Sequence, residues 1–123
     1  MALNDGFAQL GYVVDIATDG ASTDAGYIDL PHNNVYITHI IAYDATGDNS
    51  SATLGVFTGA GGTGTTVVSN AALTTHTTSA IKSARTVAAP GLIATRLYFR
   101  VGTASGVAGS KISILVGGFT LQN

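Results

Sequence analysis

The stretch Val35–Tyr43, with the sequence VYITHIIAY, decides the fold class. It consists almost entirely of β-branched and aromatic residues, which favour a strand. In a strand, successive side chains point to opposite faces. One face then carries Val35, Ile37, His39, Ile41 and Tyr43, and the other carries Tyr36, Thr38, Ile40 and Ala42. Because both faces are largely apolar, the stretch predicts a central strand that is covered on both sides.

Seven further stretches show either alternating apolar and polar residues or a short apolar run between turn residues, and both patterns indicate strands. They are Tyr12–Ala17, Tyr27–Leu30, Ala52–Phe57, Thr65–Ser69, Ser79–Val87, Leu92–Val101 and Lys111–Leu121. Asp19-Gly20 is a turn dipeptide, and Ala89-Pro90-Gly91 fits a type II turn. Ser79–Val87 fits either a strand or a short helix, and its alternation favours the strand. The loop at 70–78 is predicted to contain at most one helical turn, around Ala71–Thr74.

These stretches predict one all-β domain, an eight-stranded antiparallel two-sheet sandwich of the jelly-roll kind. An immunoglobulin-like sandwich is the alternative, although its Cys–Trp–Cys hallmark is missing because the chain has no cysteine and no tryptophan. Residues 1–11 are predicted to form an N-terminal arm, and residues 12–123 form the single domain. The predicted core consists of Ile37, Ile41, Leu54, Val56, Leu97, Phe99, Val101, Ile114 and Val116.

Charge is scarce in this chain and unevenly placed. Charged residues make up 10% of the 123 positions, against about 25% in an average globular domain. All seven acidic residues lie between Asp5 and Asp48, and all five basic residues lie between Lys82 and Lys111. With a mean hydropathy of +0.35, the chain is predicted to bury much of its surface against copies of itself or a larger partner.

Net charge and hydropathy also bear on partners and location. The formal net charge of −2 argues against nucleic acid or an acidic membrane as a partner, because such binding needs clustered cations. The N-terminal sequence MALNDGFAQLG has no basic region and no long apolar run, so no signal peptide is predicted. No apolar run approaches the roughly 20 residues of a membrane-spanning helix. We therefore expect a soluble protein that is exported only as part of a larger assembly.

The glycine-rich stretch Gly59–Gly64, GAGGTG, matches the pattern G-x-G-x-x-G of dinucleotide-binding folds. Such a site needs a helix beginning at the glycines and an acidic residue about twenty positions later. Here Thr65-Thr66-Val67-Val68 follows, which favours a strand, and no acidic residue occurs after Asp48. The stretch is therefore predicted to be a flexible hairpin loop.

Residues typical of metal or catalytic sites are sparse. His32, His39 and His76 are not at metal-ligand spacing from one another. The loop Asp44–Asn49 has oxygen ligands that suit calcium but lacks the EF-hand pattern, so we interpret it as a turn. Asn49-Ser50-Ser51 matches a glycosylation acceptor, which carries little weight without a secretory signal. No serine lies in a G-x-S-x-G motif. The chain is therefore predicted to be no enzyme and to hold no metal or cofactor, and calcium at the loop Asp44–Asp48 is the one alternative left open.

The basic residues have a different pattern from the acidic ones. Two arginines project from the same face of the predicted strand Leu92–Val101, with a tyrosine between them, and two further cations lie on Ser79–Val87, which is predicted to be a neighbouring strand. The set is either an ordinary solvated strand face or, in the interpretation we favour, a contact surface for anions or carboxylates on an adjacent subunit or partner. The candidate interface residues are Arg96, Tyr98, Arg100, Lys82, Arg85 and Lys111.

Three segments resemble a pattern found in small head proteins of tailed bacteriophages. They are VYITHIIAYDATGDNSSATLGVFTGAGGTGTTVV at 35–68, AALTTHTT at 71–78 and LYFRVGTASGVAGSKISILVGGF at 97–119. The family is that of capsid decoration, or cement, proteins. The resemblance implies a virion structural protein made in the host cytoplasm and carried on the capsid exterior. It also implies a homo-oligomer, usually a trimer, that bridges neighbouring major capsid protein subunits.

The alternative function is that of a carbohydrate- or receptor-binding module. A jelly-roll module of a phage fibre or tail binds carbohydrate or a receptor through exposed aromatic residues and hydrogen-bonding Asp or Asn side chains. The chain has candidates for such a platform in Tyr12, Tyr27, Tyr36, Tyr43 and Tyr98.

Overall fold

The computed structural model describes residues 7–121, which form nine strands and one turn of 3-10 helix. The strands are β1 (Phe7–Ala17), β2 (Ser22–Asp29), β3 (Asn34–Thr46), β4 (Thr53–Gly59), β5 (Thr63–Ala72), β6 (Ser83–Arg85), β7 (Gly91–Ile93), β8 (Arg96–Thr103) and β9 (Lys111–Thr120). The 3-10 turn, Ala60–Gly62, joins β4 to β5.

The strands form two antiparallel sheets that pack against each other. In sheet I the order is β1-β9-β3-β6, and β7 also pairs with β3. In sheet II the order is β2-β8-β4-β5. β6 pairs with Ile40–Ala42 and β7 with Asn34–Tyr36. These two short strands therefore lie one after the other along the same edge of β3 and together occupy one strand position. Eight strand positions result, four in each sheet, and the order is that of a jelly roll. The predicted fold is confirmed.

The hydrophobic core lies between the two sheets. It contains Phe99, Leu97 and Val101 of β8, Leu54 and Val56 of β4, and Ile112, Ile114 and Val116 of β9, all nearly free of solvent contact. Eight of the nine predicted core residues are buried, because their strands alternate regularly between inward and outward side chains.

Ile41 is the exception, and a bulge in β3 explains it. The register with β9 shifts between Ile37 and His39, because β3 has one extra residue there. After this bulge the even-numbered residues of β3 face inward instead of the odd-numbered ones. Ile40 and Ala42 are therefore buried, and Ile41 is half-buried on the outer face. The prediction that Ile41 faces the core is wrong.

The predicted coverage of β3 on both sides is also wrong within the described residues. Tyr36 is 45% exposed and Thr38 is exposed. The His39 ring lies over Gly117 of β9, where a Cβ atom would overlap it. The outer face of β3 therefore forms part of the surface of the sandwich.

Element boundaries differ from the predictions at several places. β1 begins at Phe7, so residues 7–11 of the predicted arm lie in sheet I, and residues 1–6 lie outside the described residues. β2 begins at Ser22 instead of Tyr27. The helical turn predicted around Ala71–Thr74 is absent, because β5 extends to Ala72.

The largest boundary changes lie in the region 79–101. Of the predicted strand Ser79–Val87, Ser83–Arg85 forms β6. The predicted strand Leu92–Val101 divides into β7 and β8, which belong to different sheets. The chain therefore crosses from one sheet to the other between Ile93 and Arg96.

All four sheet edges carry features that hinder the addition of another strand. β1 has register shifts at two places, and Asp15 at the second has a φ of 58°. β2 is interrupted between Ser22 and Gly26. β6 and β7 have three residues each, and the segment before β7 lies against the edge of β5. Association through a sheet face is therefore better supported than association through an edge.

Candidate interaction surfaces

Three of the six candidate interface residues share the outer face of sheet II. Leu97, Phe99 and Val101 point into the core, so the alternate residues of β8 point outward. The outward residues are Arg96, Tyr98 and Arg100, all half-buried. We call these three the arginine surface.

Arg96 already has partners within the chain. Its Nε donates to Asp29 Oδ1 on the neighbouring strand at 2.7 Å. Its guanidinium carbon lies 4.0 Å from the centre of the Tyr27 ring, a cation–π contact. The hydrogen bond to Asp29 raises the pKa of Arg96. Because both side chains of the ion pair are substantially exposed, the pair contributes little to stability.

Arg100 lies farther along the same face and has no hydrogen-bond or ion-pair partner within residues 7–121. Its Cδ packs over Gly62, at 3.1 Å from the position of a Cβ there. Gly61, Gly62 and Gly64 have φ values of 72°, 79° and 71°, which favour glycine. The glycine-rich stretch is thus the β4–β5 hairpin connection, and it leaves room for the Arg100 side chain.

The remaining candidates lie elsewhere. Lys82 precedes β6 and is exposed, and Lys111 begins β9. Arg85 lies in β6, which pairs with β3 in sheet I and not with β8. The prediction that Lys82 and Arg85 neighbour the arginine strand is therefore wrong, because the short strand joins the other sheet.

Arg85 is half-buried at the open side of the sandwich. Its guanidinium donates to Ala71 O at 2.7 Å, Ala72 O at 3.3 Å and Leu54 O at 3.4 Å. These bonds tie the edge of sheet I to β4 and β5 of sheet II. Burial lowers the pKa of Arg85.

The outer face of sheet I has an exposed apolar surface that the sequence analysis missed. Cross-strand pairing places Tyr36 beside Phe119, and it places Tyr12, Leu115 and Ile41 in one row. Five large side chains of this face, which we call the apolar face, are exposed: Tyr12 (58%), Val14 (55%), Tyr36 (45%), Ile93 (76%) and Phe119 (36%). A concentration of exposed aromatic and aliphatic side chains on one sheet face is typical of a protein–protein contact.

A buried polar network joins three loops at one end of the sandwich. Asn49 Nδ2 donates to the carbonyls of Thr46, Gly47 and Lys111. With its amide thus oriented, Asn49 Oδ1 accepts from Thr18 Oγ1. Each hydroxyl has one proton, so Ser110 donates to Thr18 and Ser105 to Ser110, at 2.8 and 2.5 Å between oxygens. The network fixes the loops between β1 and β2, β3 and β4, and β8 and β9.

Asn49 is fully buried, which settles its role in the folded chain. The Asn49-Ser50-Ser51 acceptor is inaccessible to glycosylation, and Asn49 acts as a structural hydrogen-bonding residue. Hydrogen bonds from the Ser50 side chain and from the Ser50 N–H lower the pKa of Asp48, and the N–H lies 2.9 Å from Asp48 Oδ1. This supports the interpretation of Asp44–Asn49 as a turn.

The three histidines have separate environments. His32 Nδ1 accepts the Asn34 N–H at 3.1 Å in the β2–β3 turn. His39 lies over Gly117, and His76 is buried with Nε2 at 2.6 Å from Ser83 Oγ. Within residues 7–121, no group of three or more His, Cys, Asp or Glu side chains is placed to hold a metal ion.

The five tyrosines of the carbohydrate alternative do not converge. Tyr12, Tyr36 and Tyr43 lie on sheet I, whereas Tyr27 and Tyr98 lie on sheet II. One ring face of Tyr27 is covered by Arg96. Sugar stacking on that face would require Arg96 to move.

No protein-family model, curated protein or solved structure matches the chain. Among the described residues, no helix has the length and apolar character needed to cross a membrane.

Proposed function

We propose that the chain is a non-enzymatic virion structural protein that decorates the exterior of a bacteriophage capsid as a homo-oligomer, most simply a trimer. The observation that supports this proposal best is the apolar face of sheet I. Its exposed Tyr12, Val14, Tyr36, Ile93 and Phe119 side chains are costly to leave in water and gain free energy when another protein surface covers them.

The apolar face is assigned to contacts between copies of the chain. It carries five of the eight large hydrophobic side chains that are exposed among the described residues, and the sheet edges hinder edge-to-edge association. Its charged neighbours, Asp15, Asp44 and Lys111, lie together toward one end of sheet I. Oppositely charged side chains of adjacent copies can therefore pair at the rim of an apolar contact, as in other oligomers.

The arginine surface is assigned to the capsid. It lies on the other sheet, so it stays accessible when the apolar face is covered. Arg100 has an unpaired guanidinium within the described residues, whereas Arg96 is held by Asp29. Arg100 is therefore the residue that meets a carboxylate of the major capsid protein. An exposed pair of this kind contributes about 0.2–1 kcal/mol, so it affects the association rate more than the affinity.

Binding to capsids of the encoding phage, purified without this protein, tests the proposal. We expect Arg100→Ala to slow association at low salt, because charge steers the encounter. Arg96→Ala should have a smaller effect, because its charge is already balanced by Asp29. Raising the salt from 0.1 to 1 M, which shortens the Debye length from about 10 to about 3 Å, should remove the difference between wild type and Arg100→Ala.

Lys82→Ala is the matched control, since Lys82 is an exposed cation outside the arginine surface. Surface plasmon resonance with immobilised capsids provides the association rates. Equal rates for wild type, Arg100→Ala and Lys82→Ala at low salt would contradict the role of Arg100. No binding of the wild-type protein to the capsids would contradict the proposed function itself.

A further inference from the structure

A cleft opens between β5 and the chain segment that joins β6 to β7. This segment runs alongside β5, and hydrogen bonds to β5 come from the segment itself and from Arg85, the last residue of β6. Ala88 N donates to Val67 O at 2.8 Å, and Arg85 Nη2 donates to Ala71 O at 2.7 Å. Between these two links the segment and β5 separate, leaving a cleft of roughly 190 Å³.

The walls of the cleft combine small apolar groups with hydrogen-bonding side chains. Val68, Ala71 and Ala84 contribute apolar surface, and Ser69 and Thr86 contribute hydroxyl groups. Neither hydroxyl has a hydrogen-bond partner in the part of the chain that the structure describes. Arg85 lines the same cleft, so a cation and two free hydroxyls lie around one small space.

The Arg85 guanidinium has no counter-ion among residues 7–121. Its hydrogen bonds within residues 7–121 go to three neutral carbonyls, and its Nε is buried without a partner. A guanidinium has five N–H donors, so three bonds leave two of them unused. Burial lowers the pKa of the nearby His76, and the positive charge of Arg85 lowers it further. A partly buried charge of this kind is stabilised by a bound anion.

We propose that this cleft binds the carboxylate group of a small aliphatic ligand or of a protein side chain. Arg85 supplies the positive charge, the Ser69 and Thr86 hydroxyls donate hydrogen bonds to the carboxylate oxygens, and the methyl groups of Ala71, Ala84 and Ala88 contact the aliphatic part. A planar carboxylate suits a guanidinium, and the narrow, partly apolar walls disfavour the larger, more strongly hydrated phosphate. The proposal does not depend on the proposed capsid function.

Titration of the ¹⁵N-labelled protein with sodium acetate, replacing sodium chloride at constant ionic strength, tests the site. We expect saturable shifts of the amide resonances of Ser69 and Thr86. Arg85→Gln should weaken acetate binding at least tenfold, and Lys82→Gln, which removes an exposed cation that does not line the cleft, should leave it unchanged. Shifts that rise linearly without saturation, or an equal loss in both variants, would overturn the proposal.

A second variant keeps the test decisive if Arg85→Gln does not fold. Thr86 is exposed, so Thr86→Val leaves the fold intact and should weaken acetate binding several-fold. Unchanged binding in Thr86→Val would overturn the proposed hydroxyl contact, and phosphate binding as tight as acetate would overturn the selectivity for carboxylates.

The source of the carboxylate is distinguished with a short blocked peptide that contains one aspartate and with its asparagine counterpart. Binding of the aspartate peptide alone supports a protein-borne carboxylate. Binding of acetate but of neither peptide supports a free small carboxylate. Equal binding of both peptides would show that the charge is not recognised and would contradict the site.

Discussion

Replacement of Phe99 by alanine is expected to lower the free energy of unfolding by about 3–5 kcal/mol. Phe99 is the largest fully buried side chain of the core. It lies opposite Val56 of β4 and Gly26 of β2, so it is enclosed by neighbouring strands and by the facing sheet. Removing the ring leaves a cavity that these regular strands are poorly able to close.

Denaturant unfolding followed by far-UV circular dichroism measures this loss. It is done at one fixed protein concentration, because the proposed self-association would contribute to stability. Tyr98→Ala is the matched control. Tyr98 is an aromatic residue of the same strand and lies half-buried on the outer face. Its truncation should therefore lower the free energy of unfolding much less than the truncation of Phe99. Equal losses for the two variants would contradict the assignment of Phe99 to the core.

Replacement of Asn49 by aspartate is expected to lower the free energy of unfolding by several kcal/mol at neutral pH. The side chain is fully buried, and its Nδ2 donates to three backbone carbonyls. A carboxylate there would face those carbonyls with no proton to donate, and its charge would be buried.

The loss of stability caused by Asn49→Asp should depend on pH, because the pKa of the new carboxyl group differs between the folded and unfolded states. Burial and the facing carbonyls raise the pKa of the new carboxyl group above its value in the unfolded chain. The unfolded state then releases the proton more readily, so the variant becomes relatively more stable as the pH falls and less stable as it rises. Unfolding of wild type and variant at pH 7 and pH 4 measures the difference.

The control is Asn33→Asp, because Asn33 is exposed in the β2–β3 turn. This variant should unfold like wild type at both pH values. If Asn49→Asp were as stable as Asn33→Asp at pH 7, the buried network would not stabilise the loops as described.

Regular strands explain why much of the fold could be predicted from sequence. In β8 the strict alternation of apolar and polar residues places Leu97, Phe99 and Val101 inside and the arginine surface outside, as predicted. β3 shows the limit of the same rule. One bulge at Thr38 changes which residues face inward, and nothing in the local composition indicates the extra residue.

The interaction surfaces were harder to predict because they depend on contacts distant in sequence. Thr18 and Ser110 are 92 positions apart and share a hydrogen bond, so no periodicity reveals their network. The partners of Arg85 depend on β6 joining sheet I, which a three-residue strand does not specify. Tyr12 and Tyr36 appear in the sequence as ordinary strand residues, and pairing of both β1 and β3 with β9 brings them onto one face.

Sedimentation equilibrium of the purified protein tests the central claim most directly, namely that the chain self-associates through the apolar face. We expect wild type to have three times the mass of the 12.4-kDa chain at micromolar concentrations. Tyr36→Lys should dissociate it to monomers, whereas Thr66→Lys, which adds the same charge at an exposed position of β5 in sheet II, should leave it assembled. A wild-type protein that stays monomeric at high micromolar concentration, or dissociation by Thr66→Lys but not by Tyr36→Lys, would contradict the account.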